Sequence, residues 1–226
     1  MTDAEARRIG AAFRGVAAVA FDFDGVLVDS VDVKTRAFAD LYADADVTLR
    51  DAVVEHHLAN GGVSRHVKLA HYERLRTGVA PHPDRIATLA DRFAGLVRDR
   101  VIAAPDMPGA SALLDHLGRR LPLYVCSGTP QDELREIVTA RGWDRHFVDV
   151  LGSPDEKATI LHTIARREGI ATDALVMLGD ASTDREGART AGARFVLIGP
   201  PDPTAEPGEP RADDPAALLR ALQTAG

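Results

Sequence analysis

An α/β protein built on a doubly wound parallel sheet, with an α-helical cap domain inserted into it, is what this sequence predicts. Three observations carry that reading. Short apolar runs alternate with segments of helical periodicity, the pattern of β-α-β units and a parallel sheet. One stretch, from about Val31 to Ala104, has helical periodicity and no convincing strand, and about seventy residues are too many for a simple crossover. Acidic, hydroxyl and basic residues stand at the ends of apolar runs or in the loops after them, where open parallel sheets bind their ligands.

The first apolar run, Gly15 to Asp24, starts without alternation, as expected of a strand buried on both faces. Leu121 to Ser127, Ala174 to Asp180 and Arg194 to Gly199 read the same way, and Phe147 to Gly152 is a weaker fifth. In the insert, Ile86, Leu89, Phe93, Leu96, Val97 and Val101 recur near helical spacing. Asn60-Gly61-Gly62 and Pro81-His82-Pro83 punctuate it. After the second strand, Thr129 reads as an N-cap and Pro130 as the first helical residue, with Leu134, Ile137 and Val138 as the apolar side. Another helix is expected from Glu156 to Glu168, with Ile160, Leu161 and Ile164 on one face and Gly169 as its stop. Gly199 to Pro210 is rich in proline and acid and reads as a loop. Asp214-Pro215 then opens a short helix ending near Leu222. The domains expected are 1–30 with 105–226 for a Rossmann-like core, and 31–104 for the helical cap.

Composition narrows the function classes. Of 226 residues, 45% are hydrophobic and 27% charged, the profile of a soluble globular protein. A net charge of −7 argues against a broad basic face for nucleic acid. The single cysteine, Cys126, excludes an internal disulfide framework and points to a reducing compartment. Its place in a buried strand reads as apolar filler, as Trp143 and Phe147 read as packing between helix and sheet. No apolar run approaches the roughly 18–20 residues that span a bilayer. The segment before Gly15 carries Asp3, Glu5, Arg7 and Arg8, and reads as neither a secretory signal nor an acid-poor transit peptide. A cytoplasmic protein without nucleic-acid or membrane partners is expected, with its oligomeric state left open.

The chemistry gathers at strand ends. Asp22 and Asp24 close the first run, and Asp24-Gly25 follows as a turn signal. The pair is either a plain strand exit or a two-carboxylate site for a hard cation such as Mg2+. Ser127-Gly128-Thr129 ends the second run just before a helix, where backbone N–H groups and a hydroxyl suit phosphate. Lys157 stands at the start of the next helix, where a cation opposes the helix dipole, so a local partner is expected for it. Gly179-Asp180 and Asp184 form a second acidic pair, in which Asp180 also fits a helix N-cap.

These four segments, in this order and spanning most of the chain, resemble the haloacid dehalogenase superfamily on its phosphatase side. The insertion point resembles the group with a small helical cap, which includes phosphoglycolate-phosphatase-like and β-phosphoglucomutase-like enzymes. The resemblance implies that Asp22 is a nucleophile forming an aspartyl-phosphate, and that Asp24 is the acid and then the base. It implies Mg2+ held by the Asp22 carboxylate, the Asp24 main-chain carbonyl and Asp180. Ser127, Gly128 and Lys157 would hold the phosphoryl group, and Asp184 would orient Lys157 or a metal-bound water. Dehalogenases of the superfamily lack the second aspartate, since halide leaves without a proton. Asp24 therefore points to a phosphate ester and a small phosphorylated metabolite as partner.

The cap has to supply specificity. Gly62-Val63-Ser64-Arg65 resembles the cap loop of β-phosphoglucomutases, so Arg65 either grips an anionic group on the substrate or is a solvated arginine after a turn. Lys34 stands where the sugar phosphomutases carry a histidine that gates their chemistry, and lysine cannot serve as the same neutral donor and acceptor. That departure favours a hydrolase over the alternative, a phosphomutase. Lys34 either contacts substrate or is solvated. A non-catalytic binding module is a further alternative, disfavoured because Asp22, Asp24, Lys157 and Asp180 are all present. His56, His57, His66 and His71 lack zinc-ligand spacing and read as helix-surface residues.

Overall fold

The computed structural model describes residues 2–225. Its centre is a parallel sheet of six strands: β1 (Ala18–Phe21), β2 (Leu123–Pro130), β3 (Asp149–Ser153), β4 (Leu175–Gly179), β5 (Arg194–Ile198) and β6 (Arg211–Ala212). Their order is β3-β2-β1-β4-β5-β6, so chain order reverses beside β1, where a doubly wound sheet opens its crevice. β1 pairs in register with both neighbours, Phe21 opposite Val125 on one side and Leu178 on the other.

The apolar runs have a simple cause. Successive side chains of a strand point to opposite faces, and both faces are covered. Ala18 and Ala20 of β1 join Tyr124, Cys126, Leu175 and Met177 under helices α8 (Lys157–Glu168) and α9 (Ser182–Ala191). Val19 and Phe21 join Val125, Val176 and Leu178 in the opposite core. Cys126 is fully buried in the core under α8 and α9, and burial pushes its thiol pKa up, which fits an inert filler. Phe21 meets Phe147 and Phe23 meets Trp143 edge-on, so both rings pack as expected.

Between β1 and β2 the chain runs through α2 (Val31–Leu41), α3 (Val47–Ala59), α4 (Arg65–Thr77), α5 (Pro83–Ala103) and α6 (Ala110–Gly118). Ile86, Leu89, Phe93, Val97 and Val101 are the buried stripe of α5, with Leu96 at its margin. Phe93 stacks at 4.2 Å against Phe38, which meets Tyr72 at 5.5 Å, and these rings form the interior of the helical layer. The chain leaves and re-enters the sheet domain at one seam. The Asp29 N–H donates to the Pro105 carbonyl at 2.9 Å, and the Met107 N–H to the Leu27 carbonyl at 2.9 Å. Arg141 donates to the carbonyls of Val101, Ile102 and Ala104, three of the groups left open at the end of α5.

Several expectations need correction. Thr129 is not an N-cap and Pro130 is not the first helical residue: β2 continues through Pro130, and α7 begins one residue later (Gln131–Ala140). The Thr129 hydroxyl is engaged in the crevice instead, as described below. The first run reads Gly15 to Asp24, but the ladder covers only Ala18–Phe21, because the chain turns at Gly25 and the Leu27 and Val28 N–H groups return to the Phe23 carbonyl. His57 is no surface residue; it is 8% exposed and packs at 4.8 Å on Phe38. Helices α1 (Asp3–Phe13) and α6 and the short β6 were not read beforehand, although α6 buries Ala110, Leu113, Leu114 and Leu117 at helical spacing. The last helix, α10 (Pro215–Ala225), starts as expected and runs past Leu222. Among the described residues no helix is long and apolar enough to cross a membrane.

Candidate active site

The carboxyl ends of β1, β2 and β4 meet the helical layer around a cavity of about 370 Å³. Its floor includes Asp22, Ser127 and Asp180, and its roof includes Phe38, Lys68 and Phe93.

Asp22 follows β1 directly and is 3% exposed. Its own side chain accepts the Phe23 N–H at 2.8 Å. Lys157, the first residue of α8, sends its ammonium to within 3.2 Å of Asp22 Oδ2 and also onto Asp184 Oδ1. The expected local partner of this lysine is therefore a carboxylate pair. Burial works against the charged lysine, but Asp184 and Asp22 outweigh it and push its pKa up. Asp184, in the first turn of α9, is fully buried and accepts the Ala181 N–H at 3.0 Å.

Asp22, Asp180 and Asp184 can each place a carboxylate oxygen within 4.8 Å of the other two. Burial, then repulsion from Asp184, pushes Asp22 up to about 7, against the pull of Lys157. Burial, then repulsion from Asp22 and Asp184, pushes Asp180 well above its usual range. One ammonium cannot offset three carboxylates, two of them buried and that of Asp180 half-buried. An all-oxygen, net-negative set of this kind fits a hard divalent cation such as Mg2+.

Asp24 has a different setting. Its carboxylate accepts from Ser30 Oγ at 2.6 Å, from Thr129 Oγ1 at 3.3 Å and from the Lys34 ammonium. Burial pushes its pKa up, yet Lys34, Ser30 and Thr129 together outweigh burial and hold it below the usual range. The Asp24 carboxylate is not part of the set formed by Asp22, Asp180 and Asp184. Ser127 is buried, its Oγ accepting the Thr129 N–H at 3.2 Å.

The helical layer closes the site from above. Gly61 and Gly62 lie on the sheet domain, where Thr183 Oγ1 donates to the Gly61 carbonyl at 2.5 Å. Gly128 has to be glycine because a Cβ there would stand 2.1 Å from the Gly62 carbonyl oxygen. Arg65 and Lys34, both expected at the substrate, line the cavity with their charges already partnered. Arg65 pairs with Glu133 of α7 at 2.6 Å and covers the Phe93 ring at 4.8 Å. Lys34 bonds Asp24 and, at 2.8 Å, Thr129.

Glu133, Thr183 and Lys68 were missed in the sequence, and the contact of Thr129 with Asp24 was not foreseen. Lys68 alone left a signal: it sits with Arg65, Leu69 and Tyr72 on the buried face of α4, a position where helical period predicts an apolar residue.

A family model described as a haloacid dehalogenase-like hydrolase matches residues 16–192. A phosphoglycolate phosphatase from Rhodospirillum rubrum is 30% identical over 192 residues, 80% of this chain and 78% of that protein. A 5'-nucleotidase from Pseudomonas aeruginosa is 28% identical over 190 residues, 80% of this chain and 81% of that protein. Among solved structures, a hydrolase from Pseudomonas syringae superposes with a TM-score of 0.75 at 20% identity, over 92% of this chain and 98% of that one, a likeness of fold.

Proposed function

The chain belongs to the haloacid dehalogenase-like hydrolases and is an enzyme of their phosphatase branch; from that premise we propose that it hydrolyses a small phosphomonoester, a sugar phosphate or a phosphorylated small acid, through an aspartyl-phosphate. The observation that carries the reading is the buried Asp22 carboxylate on a cavity floor, flanked by Lys157 and by an acidic set able to hold Mg2+. Residues 31–104 then act as a cap over a core of 1–30 and 105–226.

In this reading an Asp22 oxygen attacks phosphorus and the bond to the leaving oxygen breaks. Asp24 gives that oxygen a proton, then takes one from the water that attacks the aspartyl-phosphate, so Asp22 and inorganic phosphate are regenerated. Mg2+, when bound, would supply positive charge that offsets the repulsion between carboxylate and phosphate. Asp22 and Asp180 would hold it, with the Asp24 carbonyl, while Asp184 fixes Lys157. Ser127, the Gly128 backbone and Lys157 would bind the phosphoryl oxygens as charge builds. The lowered Asp24 pKa suits the base step. The acid step asks Lys34 to shift its contact once the ester is bound.

The test is phosphate release from 2-phosphoglycolate, sugar monophosphates and nucleoside monophosphates, with Mg2+ or with chelator, and with or without a sugar bisphosphate. Release that needs Mg2+ is expected. Bisphosphate-dependent isomerisation without release would overturn the hydrolase in favour of a mutase.

Metal binding has its own readout. Mg2+ at about a hundred times its Kd is expected to raise Tm by about 5–10 °C. In Asp180→Asn that rise should vanish; an unchanged rise places the ion elsewhere. Cap closure is tested at Gly128. A Cβ there meets only the cap loop, so Gly128→Ala should lower kcat/KM roughly 10²-fold while Tm moves by less than about 2 °C. Full activity in this variant would mean that the cap need not seat as closely as it does here.

A further inference from the structure

Three cap cations face the cavity, and two are spoken for. Lys34 is paired with Asp24, and Arg65 with Glu133. Lys68 differs. It is 2% exposed, and among the described residues no carboxylate lies within ion-pair distance of its ammonium. Its contacts are His57 Nδ1 at 2.9 Å, the His57 carbonyl at 3.4 Å and the face of Phe38 at 5.9 Å.

His57 is a neutral support. Burial, and then Lys68 itself, push the imidazole down to about 3, so its Nδ1 accepts from the lysine. A buried ammonium with neutral acceptors alone is costly, and it becomes favourable when an anion arrives beside it. Burial and the nearby Lys34 and Lys157 accordingly depress Lys68 to about 7, with Asp24 opposing. The helical layer holds this charge on the cavity roof, while Lys157, assigned above to the phosphoryl group, lies beside Asp22 at the floor.

We infer that Lys68, held in place by His57, reads the end of the substrate farthest from the phosphoryl group, and that this end is anionic, a carboxylate or a second phosphate. The inference rests on the phosphatase reading above and names the substrate class of that site. A phosphomonoester with a neutral far end leaves Lys68 uncompensated. One with an anionic far end has its two charges met by Lys157 below and Lys68 above.

Three probes separate the sources of charge: 2-phosphoglycolate, which carries a carboxylate; fructose 1,6-bisphosphate, which carries a second phosphate; and 2-hydroxyethyl phosphate, which carries neither. Each is assayed for Mg2+-dependent phosphate release with wild type and Lys68→Met. Methionine keeps the length of the stem and removes the charge, a change that buried sites tolerate well. The ratio of kcat/KM for the better anionic ester to that for 2-hydroxyethyl phosphate should fall about 10–100-fold in the variant, the size expected for a lost charged hydrogen bond. Which anionic ester suffers identifies the far group.

A merely structural lysine would lower all three rates by one factor, leaving the ratio unchanged, and that result overturns the inference. So does a wild type that prefers the neutral ester, although the phosphatase reading then stands. Absence of Mg2+-dependent release from every ester removes the phosphatase reading and this inference with it.

Discussion

Asp22→Asn is expected to lower phosphate release by at least about 10⁴-fold, the scale seen when a covalent nucleophile is removed. An amide oxygen matches the carboxylate in shape and cannot form the aspartyl-phosphate. The loss should fall on kcat, since the cavity and Lys157 remain. Stability should move the other way. In the metal-free protein Asp22 keeps its proton up to about pH 7, while the unfolded chain releases it near the ordinary value of 3.8. Folding therefore takes up a proton between those limits, and stability falls as pH rises through that window. The asparagine cannot titrate, so in chelator the variant's Tm should be less dependent on pH from about 4 to 7 and higher at pH 7 than that of wild type. A variant that still releases phosphate within tenfold of wild type rules out Asp22 as the nucleophile.

Lys157→Met carries the second large effect, and it acts on both stability and rate. Among the described residues, Lys157 is the one ammonium in direct contact with the acidic cluster, bridging Asp22 and Asp184. Its removal leaves buried carboxylates facing one another, at a cost of about 3–5 kcal/mol for an uncompensated buried charge. In chelator at pH 7 the Tm should fall by about 6–20 °C, and acidification should recover part of the loss as the carboxylates take up protons. Mg2+ should recover part as well, since it supplies positive charge to the same oxygens. Activity should not return with stability. A phosphoryl oxygen that loses a preorganised cation costs about 10²–10³ in kcat, and saturating Mg2+ does not replace it. A variant with normal Tm in chelator would show that the cluster is relieved by something other than Lys157.

Much of the sheet and its acids was legible because both depend on local pattern. A strand buried on two faces has to be apolar throughout, and a carboxylate that interrupts such a run is expensive unless it has left the sheet. Asp22 and Asp180 stand just past β1 and β4, where that logic puts them. The ladder still ends earlier than the run suggests, because Phe23, Val26, Leu27 and Val28 are buried by the turn after β1 and by the helical layer. What stayed hidden depends on docking of one unit on another. Glu133 is defined by Arg65, which lies 68 positions away, and Thr183 by a carbonyl of the cap loop 122 positions away. Neither residue is marked by any period of its own helix. Thr129 misled because Thr-Pro is a sound helix opening, yet its hydroxyl is used by Asp24 and Lys34.

On the proposed division of the chain, the seam at Asp29–Pro105 and Leu27–Met107 gives the cap a single fulcrum. In a rigid swing about a pivot, travel grows with distance from it. Lys34 lies in the first turn of the helix that leaves the seam, so it travels least and stays with Asp24. Arg65, Lys68 and the Gly61–Gly62 loop lie further along the arm and travel most. Unlatching therefore means breaking the Arg65–Glu133 and Thr183–Gly61 contacts while the acid–base pair keeps its company. Besides those catches, the arm meets the sheet domain through Lys34 on Asp24 and Thr129 and through α5 on α7, where Arg98 lies 3.7 Å from Glu136, so recognition by the arm can change outside these contacts without touching the carboxylates underneath.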